Sequence, residues 1–482
     1  MERILNWSAA GIWVAILLWA AGCGDITIVA TMTRSPDTDN FISTDDTFLG
    51  DTGSATSSTS NTDSGTADTH SDIQSDTQSD TQPDTQSDTQ PDTQSDTQSD
   101  TQSDTGSDAD TGCPSSEGLV QNVPDSYPEV MELPNPFLFL NGASVTDTAD
   151  WQCRRAELLQ LIQTIEYGPY PPLPDYVTRS LNGDILTVTV GANGREISFD
   201  VTIAMPAGTI THPFFITMSG QMPCLPPEHV YSSGFALATF NPLDIANGDA
   251  GYSGKFYELY DTAPHTGNIL AWAWAAHRIM DALSDLPELD PDMSRMAVVG
   301  CGPYGRASLL AGVFDERVSF TVTRDSGSAG VASWRAAEAV NSPELNDLQT
   351  IQNSAASPFM FTEAFISNWE SNVYRLPFDA HAVVALVAPR PLIAQAGQLD
   401  TSATTPAVGA WQSMWAARLV YDWLGGSDAI GWVSDPHTDD ALTEREIRAI
   451  MDMAKRFFYW DESLPVVFDE TGAPPEISWG AP

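Results

Sequence analysis

The sequence predicts an α/β fold, a three-layer sandwich around a mostly parallel central sheet. Three observations predict it. From residue 185 to residue 460, short runs rich in β-branched and aromatic residues alternate with segments apolar at helical spacing. The chain has 482 residues and is 42% hydrophobic, enough to bury a large core. Finally, "VVGCGPYGRASLLAG" (Val298–Gly312) has the pattern of a strand that breaks into a helix through a glycine-rich turn.

The elements follow in order. Residues 1–23 form a targeting segment: Arg3 is a thin basic region, and "GIWVAILLWAAG" (Gly11–Gly22) is an apolar stretch too short to span a bilayer comfortably. Small residues before Cys23 resemble a bacterial lipobox, implying export, cleavage there and lipidation of Cys23. Residues 24–112 are expected to be a disordered linker. An Asp recurs every four residues from Asp72 to Asp108, so a helix would stack like charges at i,i+4, and no apolar partner offsets this. Residues 113–482 are one domain. It opens with a hairpin, "ILTVTV" (Ile185–Val190), a "GANG" turn and "EISFDVTIAMP". Strands follow at "PFFITMS", "FALATFN" and "RMAVVGC", with a helix at Asn268–Leu283 between the last two. After the glycine-rich turn come a helix, the strands "VSFTVT" and "RPLIAQA", the helix "WAARLVYDWLG" and the strand "AIGWVS". "LTEREIRAIMDMAKRFFYW" closes the domain as a capped amphipathic helix.

Charge excludes one class of partner. There are 65 acidic against 20 basic residues. The stretch Asp25–Gly112 holds 19 Asp and one basic residue, Arg34, so 18 of the 45 net negative charges lie there and 27 in the folded remainder. Such a body repels nucleic-acid phosphates. No spacing of His, Cys and carboxylates supports a metal site, no cofactor motif stands out, and a single-chain protein is expected.

The turn sits where an α/β hydrolase carries its nucleophile, which an acid and then a His follow in chain order. Asp325, in "TRDSGSAG", and His437, in "SDPHTDD", meet that order at the carboxyl ends of strands. The fold class is therefore narrowed to the α/β-hydrolase fold.

Several long blocks, in order, make the domain resemble the glucuronoyl esterases, which cleave the ester between the glucuronic acid of xylan and lignin alcohols. They are "LPNPFLFLNG", "DWQCRRAELLQLIQTIEYGPYPP", "GKFYELY", "AWAWAAHRIMDAL", "VVGCGPYGRASLLAGVFDERVSFTVTRDSGSAG", Trp334-Arg335 and "LPFDAHAVVALVAPRPL". The resemblance covers about Leu133 to Trp460. Its signature is G-C-S-R-x-G-K. Gly300, Cys301 and Gly305 match it, but Gly302 stands at the serine, Pro303 at the arginine and Arg306 at the lysine. The family's E-S-G becomes Asp325-Ser326-Gly327.

These departures remove chemistry. Glycine supplies no nucleophile. The N–H after the nucleophile serves the oxyanion, and Pro303 has none. Losing one oxyanion donor costs about 3–4 kcal/mol, and losing a triad nucleophile lowers kcat on the order of a million-fold. Glycine is indifferent to positive φ and proline suits a first helical turn, so the turn is expected to be free to relax. Cys301, Ser308, Ser326 and Ser328 are the conceivable substitute nucleophiles, and His265, His277 and His381 are expected to be structural. The resemblance implies that Arg306 meets sugar hydroxyls and that the family's pocket Trp falls around Phe359–Phe361, where this chain has none. It also implies a Cys113–Cys153 bridge. The family joins the Cys before the nucleophile to one after the catalytic His, but here that position is Thr438. Cys224 is a candidate replacement partner for Cys301, and the sequence leaves that link open because it carries no Cβ geometry. The expected function is binding of, or action on, glucuronoyl-bearing plant polysaccharide. The domain is expected to be an inactive esterase, with an active esterase of 4-O-methyl-glucuronate esters using a non-standard nucleophile as the alternative.

Overall fold

The computed structural model describes residues 112–482, except 209–210, 220–223, 248–250, 261–264, 340–349, 399–406 and 438–441, and the backbone of three strands nearer the N-terminus. The chain divides into two units, Met1–Gln102 and Ser103–Pro482. In the first, β1 (Ile4–Ala9), β2 (Ile12–Leu17) and β3 (Ala30–Arg34) pair antiparallel. The apolar targeting segment contributes β2. Cys23 and the Asp repeat lie outside the described residues. Among those residues, no helix is long and apolar enough to cross a membrane.

The second unit is built on nine strands: β4 (Tyr176–Asn182), β5 (Ile185–Ala192), β6 (Arg195–Ala204), β7 (His212–Met218), β8 (Ala236–Phe240), β9 (Pro291–Cys301), β10 (Val318–Arg324), β11 (Leu392–Gln395) and β12 (Ile430–Val433). Their spatial order is β12-β11-β10-β9-β7-β8-β6-β5-β4. From β8 through β12 every pairing is parallel, and β4, β5, β6 and β8 pair antiparallel. The α/β-hydrolase sandwich is therefore present, with the hairpin at one edge. β4 is an addition to the sequence reading.

Period-two alternation divides the strands between two cores. Phe214, Ile216 and Val298 face one side, which the helices α1 (Thr148–Ile162), α2 (Asn268–Ser284), α3 (Pro303–Phe314) and α4 (Ala407–Trp423) cover. Phe215, Val299, Phe320 and Val322 face the other, where Ile447, Ile450 and Phe458 of α5 (Glu444–Tyr459) pack. The central parallel strands thus bury both faces, as a parallel sheet requires, whereas β6 alternates buried and exposed residues. The crossover α3 returns directly from β9 to β10, which sets residue 302 at the carboxyl end of a central strand, with residue 325 following β10 beside it.

Candidate active site

The turn between β9 and α3 has not relaxed. Gly302 holds φ 55° and ψ −127°, the tight left-handed geometry of a nucleophile elbow. The sequence left the turn free to relax without settling its shape, and the reason it stays tight lies around the apex. Gly302 N–H donates to the Arg324 carbonyl at 2.9 Å, and Gly305 N–H to the Gly302 carbonyl at 3.0 Å. A Cβ on Gly300 would meet the Tyr304 carbonyl at 2.0 Å, and one on Gly305 the Arg324 carbonyl at 2.5 Å. Both flanking glycines are needed for strand and helix to approach so closely. At Gly302, by contrast, a Cβ would meet nothing within 4 Å. The space for a nucleophile's side chain persists, but no side chain occupies it.

Neighbouring groups do not replace it. Cys301 is bonded to Cys224, with Cα atoms 5.4 Å apart, so its sulfur is spent in a bridge that braces the elbow. Cys113 and Cys153 form a second disulfide, Cα atoms 5.3 Å apart. Ser308 is buried and its hydroxyl donates to the Gly305 and Val322 carbonyls. Ser326 Oγ accepts from Val331 N–H, and Ser328 is buried in the same turn. Pro303 opens α3 and offers no N–H to an oxyanion.

The relay positions are close together but are wired differently from the sequence reading. His437 points Nε2 at Glu446, 2.8 Å from each carboxylate oxygen. Glu446 is fully buried, and it also accepts from Asp435 N–H, Thr443 N–H and Gln395 Nε2. Asp325, expected to orient the imidazole, accepts from Gly397 N–H at 3.1 Å instead. Burial raises its pKa to about 6, despite the opposing charges of Arg324 and His437. The sequence reading gave α5 only as a capped amphipathic helix and did not single out Glu446. That residue completes a capping box with Thr443, and its second partner, His437, lies nine residues upstream.

Arg324 links these parts. Its Nε donates to Gln395 Oε1 at 3.0 Å, its Nη1 to the Cys224 carbonyl, and its Nη2 lies 3.4 Å from Asp325 Oδ2. A continuous polar chain therefore runs from the disulfide through Arg324, Gln395 and Glu446 to His437. Arg306 is buried, its Nε donating to the Ser326 carbonyl at 2.8 Å. Burial lowers its pKa to about 10, against the attraction of Tyr167 and Glu166. Glu166, bonded to Trp334 Nε1, is itself pushed up to about 8 by burial. The other histidines have structural partners: His277 bonds Tyr170 and the Ala311 carbonyl, His381 the Pro134 carbonyl, and His265 Glu363. Phe359 stands edge-on to Tyr252, with ring centroids 5.3 Å apart. Thr438 is outside the described residues.

Comparison with known proteins decides the family. The model for fungal glucuronyl esterases matches residues 188–425. A 4-O-methyl-glucuronoyl methylesterase of Podospora anserina is 34% identical over 332 residues, covering 67% of each chain. The chain belongs to the glucuronoyl esterase family. The Schizophyllum commune 4-O-methyl-glucuronoyl methylesterase is 33% identical, covering 61% of this chain and 74% of that one. Among solved structures, the glucuronoyl esterase catalytic domain of Hypocrea jecorina is 30% identical with a TM-score of 0.66, covering 72% of this chain and 94% of its own. A serine-to-alanine variant of the Sporotrichum thermophile glucuronoyl esterase, 27% identical with a TM-score of 0.65, was solved with methyl 4-O-methyl-β-D-glucopyranuronate; 73% of this chain and 94% of that one are covered. Within the glucuronoyl esterase fold, this chain has a tight bend with glycine at its apex and an imidazole bonded to a buried carboxylate.

Proposed function

We propose that the protein is an exported pseudo-esterase, tethered by a lipid on Cys23, that binds glucuronoyl-bearing plant polysaccharide without cleaving it. The observation that carries this reading is the apex: Gly302 retains the elbow geometry while offering no nucleophile. Two further features support it. The Cys301 sulfur is consumed by Cys224, and Pro303 cannot donate to an oxyanion. Asp325 and His437 are then relics of a relay, and Arg306 shapes the site from within. Glucuronoxylan or a related uronic-acid carbohydrate is the ligand class, by kinship with methylesterases of 4-O-methyl-glucuronate. The protein acts as a single chain and needs no metal or cofactor.

The test is binding without turnover. Methyl 4-O-methyl-glucuronate should raise the melting temperature of the full chain in a concentration-dependent way, about 2.7 kcal/mol of stabilisation at a hundredfold excess over Kd. No shift at millimolar ligand would reduce the elbow to a relic without a ligand. One observation favours a second reading, an esterase with a different nucleophile: the His437–Glu446 pair is intact. Ester turnover separates the two.

A further inference from the structure

A pocket of about 420 Å³ lies far from the elbow along the sheet. It is lined by Ser427, Asp428 and Ile430, where the chain enters β12, whereas Gly302 follows the last residue of β9. Because β9 through β12 run parallel, the pocket and the apex lie at opposite ends of the strands. The carboxyl end is the ordinary ligand end of such a sheet, so this is a separate site. Its volume falls within the roughly 300–1,000 Å³ of small-molecule sites.

The walls are fixed. Arg456, in the last turns of α5, donates from Nη1 to the Glu462 and Leu464 carbonyls at 2.7 and 3.0 Å and from Nη2 to Asp428 at 2.6 Å. One arginine thus holds the loop after α5 against the loop before β12. Across the pocket, the Arg418 guanidinium lies 4.5 Å from the Phe468 ring centroid, a cation–π contact. The four charged linings, Arg418 and Arg456 against Asp428 and Glu462, balance to zero. On a domain that carries 27 net negative charges, this is a locally neutral recess.

Trp460, which is not one of the lining residues, closely precedes two of them, Glu462 and Ser463, in the chain. Two residues before Glu462, its Cα is within about 7 Å of that wall by chain length alone. Its side chain is 84% exposed, and its backbone sits at φ 57°, the left-handed position after a helix that glycine usually takes. A large aromatic residue gains nothing for the fold from either circumstance. The next residues, Asp461, Glu462 and Ser463, are exposed as well.

We infer that this recess and Trp460 form a second carbohydrate site, which takes a neutral chain of pentose or hexose rings. The indole offers a flat apolar face to the C–H face of a sugar ring. The arginine and carboxylate groups offer fixed donors and acceptors to hydroxyl pairs. Charge balance selects against a uronate, whose carboxylate would need a net cationic lining. Two sites at opposite ends of one domain would hold one long polysaccharide with greater avidity than either alone.

Calorimetric titration of the full chain with xylohexaose and with cellohexaose tests the inference. At least one is expected to bind saturably. Trp460→Ala is expected to weaken that binding at least tenfold and Glu462→Gln severalfold, both with unchanged circular dichroism, and saturating methyl 4-O-methyl-glucuronate should not compete. No saturable binding of either oligosaccharide, wild-type affinity in both variants, or competition by the uronate ester would overturn it. Because the probes carry no uronic acid, failure here leaves the elbow reading standing, and failure of the elbow reading leaves this one standing.

Discussion

His437, partly exposed, meets a fully enclosed carboxylate: its Nε2 is 2.8 Å from both oxygens of Glu446. An imidazole is held in one orientation by the acid it bonds, and here that acid arrives from α5, after the His in the chain. Removing the buried Glu446 carboxylate strands its donors, Asp435 N–H, Thr443 N–H and Gln395 Nε2, along with the imidazole. Glu446→Ala should therefore destabilise the fold by about 3–5 kcal/mol, read as a lower denaturation midpoint at unchanged slope. Asp325→Ala should cost markedly less. Equal losses would return Asp325 to the orienting role.

Asp325 yields a pH prediction. Its pKa rises from 3.8 unfolded to about 6 folded, because burial disfavours its charge. The native state therefore binds the proton more tightly, and this stability is present below pH 4 and lost as pH climbs through 6. The shift corresponds to about 3 kcal/mol. Asp325→Asn, neutral at every pH, should be more stable than the native protein above pH 6, with the difference shrinking toward pH 4. A pH-independent difference would contradict the buried-charge explanation.

The Cys224–Cys301 bridge closes a long loop, 77 residues in sequence. Replacing both by serine should cost about 2–5 kcal/mol. Thiol titration of the unfolded, unreduced domain should find no free sulfhydryl among Cys113, Cys153, Cys224 and Cys301. A reactive thiol at Cys301 would reopen the alternative nucleophile.

Gly302→Ser should fold, because a Cβ there meets nothing within 4 Å. It should lose about 1–2 kcal/mol, since φ 55° is costly for any residue with a side chain. Alone it should remain inactive, because Pro303 still withholds its N–H. With Pro303→Arg added, ester turnover should become detectable. Activity in the single variant equal to the double would show that the proline matters little.

Much of this was legible in the chain because strand and helix periodicities are local. The β9–turn–α3 unit, the Ile185–Ala204 hairpin and the capped α5 stand where the pattern places them. β4, "YVTRSLN", escaped: it is an edge strand that only half-buries one face, through Val177, Arg179 and Leu181, so its apolar alternation is weak. Glu446 escaped because it lies in a polar first turn of α5, and its bond to His437 depends on how the loop folds back. The elbow's shape also exceeded the sequence. Glycine and proline permit relaxation, but the close packing of Gly300 and Gly305 against carbonyls keeps the bend.

The central claim is that the apex has lost its reaction. Incubating the full-length chain with benzyl glucuronate and following benzyl alcohol release tests it directly, with Gly302→Ser/Pro303→Arg as the comparison. The expected result is no release above buffer from the natural chain and measurable release from the double variant. Release by the natural chain that His437→Ala abolishes would contradict it.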